Sequence, residues 1–509
     1  MNLDKSFFGH PRGLATLFFT EMWERFSYYG IRAILILYMT APVEYGGLGF
    51  DIVVAASIYA LFTSLAYMAN LLGGWIADNI IGQRKAILWG GFLIAAGNFL
   101  LFLPGIASFY GGLFVIILGT GLLKPNVSAI VAQIYPDNDD RKDAGFYIFY
   151  TGINLGAFIA PLVCSTLAEK VNWQLGFLAA CIGMILGIIQ FRLGYKFLGQ
   201  AGIQPAAVAS NEDLSGNKKK LYFMIAGFLG LFALLALLNA QGVLSITPTL
   251  IADAFQYIFV ITVLVFFGWL FFIAKWEPKE RDRLIVISVF FFCSALFWSA
   301  FEQAGSSLNL FANDFTDKTV PNWMVDVVNP IVGLFTEPMS YGVSFPTGWF
   351  QSLNALFIIM LAPIFSSFWK KLGSHEPSSP AKFAWGLIGV GIGFGVIMVA
   401  ASYATKDNQV SPMWLVSLYF IHTIAELCLS PVGLSKVTSL APARVVSLMM
   451  GVWFLGTSIG NFIAGKMAGF YTTMPLPELF GMVLIYTSGI GIVLLFFVGR
   501  IKKLMWGIK

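Results

Sequence analysis

Apolar stretches of about 20 residues or more recur along almost the whole chain and are separated by short polar segments. A helix of about 20 apolar residues can cross the hydrocarbon core of a bilayer. The stretches are unbroken rather than alternating, so they predict transmembrane helices and not the strands of a membrane barrel. The fourteen predicted helices cover residues 12–39, 53–76, 86–106, 108–135, 145–168, 173–195, 221–241, 250–274, 284–311, 349–369, 383–403, 412–437, 445–469 and 479–500.

The polar segments divide these helices into three groups. Basic linkers at 198–220 and 275–283 bracket two helices that have no polar face. Such helices have nothing to offer an aqueous pathway, so we expect a peripheral hairpin. Residues 312–348, rich in Pro, Asp and Asn, are expected to form an outer loop. The chain is predicted to consist of an N-terminal six-helix bundle, the linkers with the inserted hairpin, and a C-terminal six-helix bundle, at 1–197, 198–283 and 284–509.

The composition indicates an integral membrane protein. Of 509 residues, 58% are hydrophobic and 11% are charged, whereas a soluble globular protein is about 25% charged. These values exclude a soluble enzyme, a disordered protein and a fibrous repeat. With both termini placed in the cytoplasm, 24 Lys and Arg residues fall in inner segments and four in outer segments, in agreement with the positive-inside rule. We therefore expect a plasma (inner) membrane protein with both termini cytoplasmic.

The first predicted helix carries an unusual polar stripe. A charge at bilayer depth is costly, so each one is a candidate functional residue. The spacing of the stripe, i, i+3, i+4, i+7, i+8 and i+11, places its members on one helical face. Because a stripe of this kind would insert poorly if it faced lipid, we expect it to line a polar pathway. Its members are Glu21, Glu24, Arg25, Tyr28, Tyr29 and Arg32.

Two pairs of opposite charges lie at matched depths in helices of the two halves. Lys124 and Glu426 each lie about 14–16 residues into helices that run from outside to inside, roughly 21–24 Å at 1.5 Å per residue. Arg32 and Glu302 each lie about 18–20 residues into helices that run the other way, roughly 27–30 Å. We expect both pairs to join the two bundles as gates, with the second pair nearer the outer face.

The stripe in the first helix resembles a known family signature. Residues 21–30 read E-M-W-E-R-F-S-Y-Y-G, similar to the E-x-x-E-R-F-x-Y-Y-G motif of the proton-dependent oligopeptide transporter family within the major facilitator superfamily. The similarity runs from residue 6 to about residue 505. It implies an all-α major facilitator fold, with the two extra helices that bacterial members carry between the bundles. Further similar motifs lie at Gly74–Lys85, Gly119–Asn126, Phe149–Gly156, Phe297–Gln303 and Glu426–Gly433.

The resemblance also implies a function and the residues that perform it. The implied activity is proton-driven import of di- and tripeptides by alternating access. Arg32 and Lys124 are implied to hold the peptide carboxylate, and Asn154, Asn354 and Glu426 its amino end. The residues implied to contact peptide side chains are Tyr28, Tyr29, Tyr67, Trp298 and Trp453, and Thr457 is assigned to the same site. The residues implied to carry proton coupling are Glu21, Glu24, Arg25 and Glu302.

Other functions are open at this stage. The same family and mechanism could serve nitrate or another small metabolite. A remote alternative is a proton-pumping subunit of a respiratory complex, although such subunits carry charges through many spans whereas these concentrate in the first helix. An enzyme is not expected, because only three His residues are present and no nucleophile–base or metal spacing is found. We expect no cofactor apart from the proton as coupling ion, no nucleic-acid partner, contact with membrane lipid, and activity as a monomer.

Overall fold

A computed structural model describes residues 6–136, 139–205, 207, 208, 210–322, 325, 326, 329, 330, 333 and 343–508. Apart from isolated bridges, the regular structure of these residues is helical. The α-helices are α1 (Arg12–Thr40), α2 (Ile52–Ile76), α3 (Gln83–Phe102), α4 (Ile106–Gln133), α5 (Lys142–Lys170), α6 (Trp173–Gly194), α7 (Asn211–Ala240), α8 (Pro248–Gly268), α9 (Pro278–Phe301), α10 (Ser307–Phe315), α11 (Ser352–Leu372), α12 (Ser379–Tyr403), α13 (Met413–Leu440), α14 (Val446–Met467) and α15 (Leu476–Leu504).

The prediction of an all-helical membrane protein is confirmed. Within the described residues, 13 helical segments are long and apolar enough to cross a bilayer. The remaining predicted span, α1, has 29 residues and includes the charged stripe. Helices α9 and α10 form one apolar segment, Pro278–Phe315, with a 3-10 turn at Glu302–Gly305 between them. The regular α-helix of the ninth predicted span is therefore interrupted at a charged residue.

The ends of the predicted outer loop at 312–348 are held by backbone hydrogen bonds. The amide of Asp317 donates to the carbonyl of Val410 at 2.9 Å, and the amide of Phe345 donates to the carbonyl of Lys318 at 2.9 Å. The first residues of this predicted loop, up to Phe315, belong to α10 instead, and the ring of Phe315 stacks on that of Phe311 with centroids 5.7 Å apart. Residues 323, 324, 327, 328, 331, 332 and 334–342 lie outside the described residues.

The helices form two compact units. The first unit comprises Met1–Glu24, Met68–Ile153 and Cys181–Ile261, and the second comprises Arg25–Tyr67, Asn154–Ala180 and Thr262–Lys509. Parts of α1, α2, α5 and α6 thus pack with the helices of the C-terminal region in the second unit. The predicted division of the sequence at 197 and 284 stays a prediction.

Small residues and aromatic stacks join neighbouring helices inside each unit. In the first unit, α3 and α4 approach closely, since a Cβ on Gly90 would lie 2.7 Å from the carbonyl oxygen of Gly119. Small residues of this kind let membrane helices pack backbone to backbone. In the second unit, the rings of Phe290 on α9 and Phe383 on α12 stack with centroids 4.3 Å apart.

The predicted peripheral hairpin is formed by α7 and α8. No residue in the most apolar part of Glu212–Ala240 is buried. In the most apolar part of Pro248–Ile273, only 11% of the residues are buried. The corresponding value for Ile52–Ile81 is 56%. Large apolar side chains such as Phe223 and Phe272 are exposed. In a bilayer these faces are covered by lipid, as expected for helices without a polar face.

Candidate functional site

A buried ion pair joins α1 to the turn that follows α9. Arg32 Nη2 lies 2.8 Å from Glu302 Oε2, and each side chain is only 6% exposed. Arg32 Nε also donates to the hydroxyl of Tyr59 on α2 at 3.3 Å. Both charges are therefore paired, as charges removed from water must be. The structure thus brings together the two residues that the sequence pairs at matched depth.

The turn at Glu302–Gly305 gives this pair its geometry. Gly305 must be a glycine, because a Cβ at this position would lie 2.8 Å from Arg32 Nε and would collide with Tyr59. The side chain of Gln303 spans the turn, donating to the Ser299 carbonyl at 3.1 Å and accepting from Ser307 Oγ at 2.7 Å. A 3-10 turn inside a long helix is a common mark of a hinge, and here it carries one partner of the ion pair.

A second polar pair lies between α11 and α13. Asn354 Nδ2 donates to Glu426 Oε2 at 3.0 Å and lies 3.0 Å from Thr423 Oγ1. Glu426 is 8% exposed and interacts electrostatically with both Glu302 and Arg32. The charges of the two pairs are therefore close enough to influence each other. Asn354 and Glu426, two of the three residues implied to hold an amino end, are in direct contact.

Aromatic side chains and polar atoms without partners surround this site. Tyr28 and Tyr29 stack edge to face at 5.4 Å, and the Arg32 guanidinium lies 5.6 Å from the centre of the Tyr29 ring. Tyr67 interacts electrostatically with Glu302 and Arg32. The hydroxyl of Tyr28 and Nε1 of Trp298 are buried and have no hydrogen-bond partner among the described residues. Such groups are costly unless a bound molecule or water satisfies them, so they are available to a ligand.

Trp453 and Thr457, on α14, are also buried in the second unit. The ring of Trp453 packs edge to face against Phe383 at 6.2 Å. The hydroxyl of Thr457 bonds the carbonyl of Trp453 at 3.4 Å within the helix, so its acceptor lone pairs remain available. These two residues lie one helical turn apart on the same face.

Four further predicted site residues are buried, and a fifth, Lys124, is half-buried. Glu21 and Glu24 are 2% and 1% exposed, and Arg25 is 3% exposed. Asn154, at the edge of the second unit, is 4% exposed. Lys124 belongs to the first unit, just before Pro125 in α4. Its pairing with Glu426 stays a prediction.

Sequence reasoning missed a polar contact at the C-terminal end of α5. We name it the outer cap, after the predicted orientation of the chain, and define it by Glu169, Thr347 and Gly348. The carboxylate of Glu169 accepts hydrogen bonds from the amides of Thr347 at 2.7 Å and Gly348 at 3.1 Å. These amides begin the helical turn that leads into α11, where backbone donors favour an anion. No sequence signal links residues 178 positions apart.

Lys318 reinforces the outer cap. Its ammonium donates to Thr347 Oγ1 at 2.7 Å and to the carbonyl of Asn313 at 3.2 Å. Burial lowers the pKa of Lys318, while the nearby carboxylates of Glu169 and Asp314 act in the opposite direction. Tyr59 is a second residue missed at the site, although it lies eight positions before Tyr67 and so shares its helical face.

Buried charged pairs inside a helical membrane protein mark a candidate site for a polar ligand or ion on its way across the bilayer. A profile of the POT family matches residues 84–482 of the chain. The chain therefore belongs to the POT family.

Relatives and solved structures agree with this assignment. A peptide transporter of Yersinia enterocolitica is 39% identical over 98% of this chain and 96% of its own length. A di-/tripeptide transporter of Lactococcus lactis is 34% identical, with 99% of both chains covered. The crystal structure of a peptide transporter, POT, in complex with sulfate superposes with a TM-score of 0.89 at 41% identity, covering 99% of this chain and 98% of that one.

Proposed function

We propose that this protein is a symporter that imports di- and tripeptides together with protons by alternating access. The observation that carries the proposal is the linked pair of buried sites, Arg32 with Glu302 and Asn354 with Glu426. A zwitterionic peptide needs a cation for its carboxylate and an anion for its ammonium group. The surrounding aromatic residues suit side chains of varied size because they offer apolar area without a single fixed shape.

The residues divide into roles by charge. Arg32 and Lys124 bind the peptide carboxylate, while Asn354, Glu426 and Asn154 bind the amino end. Arg32 becomes available to the carboxylate only when it leaves Glu302, so peptide binding competes with the ion pair. The residues that contact peptide side chains are Tyr28, Tyr29, Tyr67, Trp298, Trp453 and Thr457.

Proton coupling acts through the same charges. Protonation of Glu302 removes its attraction for Arg32 and favours opening of the outer side. Glu21 and Glu24 lie within one turn of Arg25, so their protonation changes which groups the guanidinium can pair with. Lys124 and Glu426 form the second gate. The proton is the only coupling species in this scheme, and each monomer contains every residue that it needs.

The charge distribution supports an orientation of the chain in the membrane. The excess of Lys and Arg in alternate segments supports cytoplasmic termini in the inner membrane. The outer cap and the Arg32–Glu302 pair then lie towards the outside. In the proposed cycle, the state in which both contacts are formed is the one with the outer gate closed.

Uptake of labelled dialanine into proteoliposomes tests the proposal. An inward proton gradient should drive accumulation above equilibrium, and a protonophore should abolish it. Unlabelled di- and tripeptides should compete, whereas nitrate should not. Concentrative uptake that survives the protonophore would contradict proton coupling, and competition by nitrate alone would contradict the substrate class.

The variant Glu24→Gln separates coupling from transport. An amide cannot exchange a proton in the physiological range, so gradient-driven uptake should fall to background. Counterflow exchange requires only alternating access with substrate bound, so it should persist at least in part. Glu44→Gln, at an exposed position, is the matched control. Equal loss in both assays would identify Glu24 as structural, and normal uptake in both would place the proton pathway elsewhere.

A further inference from the structure

A groove between the beginning of α1 and the end of α6 is not used by the proposed transport mechanism. Its volume is about 760 Å³, and every residue that lines it belongs to the first compact unit. The lining combines apolar walls with two cations at one end, Arg12 and Lys196, and includes no acidic residue. A groove of this composition matches an amphiphile that carries a negative head.

The two cations are held around one ring. The guanidinium of Arg12 lies 4.1 Å from the centre of the Phe197 ring, and the ammonium of Lys196 lies 5.1 Å from it. Both charges therefore stand at the same end of the groove. Arg12 begins α1 and Lys196 follows α6, so the charge-sorted topology places this end at the cytoplasmic surface, where the bilayer presents anionic headgroups.

The apolar part of the groove continues into the bilayer. It is lined by Phe19 and Trp23 of α1 and by Ile189 and Leu193 of α6. Ile189 and Leu193 are 50% and 71% exposed, so this part is open at the side rather than enclosed. Trp23 lies 11 residues beyond Arg12, roughly 16 Å along the helix, which is about the thickness of one leaflet of the hydrocarbon core.

The floor of the groove is built by close packing of the two helices. A Cβ on Gly194 would collide with Thr16, and a Cβ on Gly187 would lie 2.8 Å from the Cβ of Trp23. Thr20 Oγ1 also donates to Gln190 Oε1 at 3.1 Å. These contacts bring the backbones together and leave a fixed crevice on the membrane side, so the shape does not depend on a flexible loop.

We propose that this groove binds one anionic phospholipid, with the phosphodiester head at Arg12 and Lys196 and an acyl chain along Phe19 and Trp23. A water-soluble anion would use the cations but not the apolar walls. A zwitterionic lipid would use the walls but would bring its own cation to the two basic residues. Charge complementarity therefore selects the anionic lipid.

Native mass spectrometry of the purified full chain tests the charged end. Dioleoylphosphatidylglycerol and dioleoylphosphatidylcholine are added in separate titrations. The double variant Arg12→Gln, Lys196→Gln should bind the first phosphatidylglycerol more weakly by at least about fivefold, the factor that corresponds to one lost cation near an anionic surface. The control Lys218→Gln, Lys219→Gln removes the same charge from exposed positions of α7 and should bind like the wild type. Arg12→Lys, Lys196→Arg retains both charges and should also bind.

Quenching of Trp23 tests the apolar end. Dibrominated phosphatidylglycerol at low mole fraction in phosphatidylcholine nanodiscs should quench wild-type fluorescence more than dibrominated phosphatidylcholine does. Trp23→Phe should remove that excess. Equal quenching by the two lipids, equal weakening in the α7 control, displacement by glycerol 3-phosphate, or a concentration-dependent dimer that excludes lipid would each overturn the proposal. Because dipeptide uptake is measured separately, failure of lipid binding leaves the transport proposal intact.

Discussion

Single charged residues dominate the energetics of the site. Burying a charge costs several kcal/mol, and removing one partner of a buried pair costs about 3–5 kcal/mol because the other is left uncompensated. Arg32 and Glu302 are each 6% exposed, so each needs the other as a partner whenever α1 contacts the turn after α9. Each of the two residues therefore needs a new partner when the pair separates during transport.

Asn354→Ala should weaken the binding of peptides that have a free amino terminus. It removes the amide that holds the carboxylate of Glu426, a hydrogen bond to a charged group worth about 1.5–3 kcal/mol, so affinity should fall roughly tenfold or more. Competition binding with dialanine measures the change, and N-acetyl-dialanine should be almost unaffected. Thr423→Val, which removes the other partner of Asn354, is the control. An equal loss for both peptides would show that Asn354 does not act at the amino end.

Residues of the site could be predicted from the sequence in two cases. Some belong to a polar pattern within one helix, and others lie at a depth in the membrane that follows from the number of residues into their helix. The charged stripe of α1 gave Arg32, and the count of residues into each helix matched it to Glu302. Glu169 could not be found this way, because its partners are backbone amides of distant residues and amides carry no side-chain signature.

At the scale of helices, the N-terminal end of α11 and the turn before it are held by polar contacts with α5. Ser352 Oγ donates to the Phe158 carbonyl at 2.7 Å, and Trp349 Nε1 donates to Thr166 Oγ1 at 2.9 Å. Together with the outer cap these bonds follow α5 for about three turns. These hydrogen bonds give the contact between α5 and the start of α11 a polar component along that length.

Glu169→Gln should loosen the outer cap. An amide offers one oxygen where the carboxylate offers two, so the amides of Thr347 and Gly348 cannot both keep a strong acceptor. Hydrogen exchange at these amides should become about tenfold faster, corresponding to about 1.4 kcal/mol. Exchange mass spectrometry in nanodiscs measures this rate, with Glu44→Gln as the control. Unchanged exchange at residues 347–349 would mean that the cap does not hold this turn.

The 3-10 turn within the ninth span was not predicted from the sequence. Residues 284–311 read as one continuous apolar helix, and Gln303 and Ala304 are good helix formers. The 3-10 turn arises from tertiary contacts, since Gly305 must make room for Arg32 and Tyr59. The length and number of the other helices followed directly from hydropathy, because the bilayer fixes the length of a span.

At the scale of the whole molecule, alternating access requires that outer contacts break while the fold persists. A gate pair changes the populations of two states only by the difference of its energy between them, typically about 1–3 kcal/mol. The Arg32–Glu302 ion pair and the outer cap are contacts whose energies fall in this range. Close contacts between small residues and stacked aromatic rings hold the helices together within each unit.

Glu302→Gln should enrich the state in which the outer side is open. The neutral amide keeps the shape of the side chain but loses most of its attraction for Arg32. Spin labels at Glu44→Cys and Asp317→Cys report the separation of the outer ends, and the fraction at long distance should rise relative to the wild type. Glu302→Asp retains the charge and should stay closer to the wild type. Identical distance distributions for wild type and Glu302→Gln at every pH would remove this pair as a gate.

The exposed hairpin of α7 and α8 has a consequence for how the gene can change over time. Because almost none of its side chains is buried, mutation can exchange Leu, Ile, Val and Phe there with little effect on folding, as long as the segment stays apolar enough to insert. Selection on this segment is for composition rather than for identity. We therefore expect it to accumulate substitutions faster than the rest of the chain. Differences between relatives in this segment should reflect the time since they diverged and not their substrate specificity.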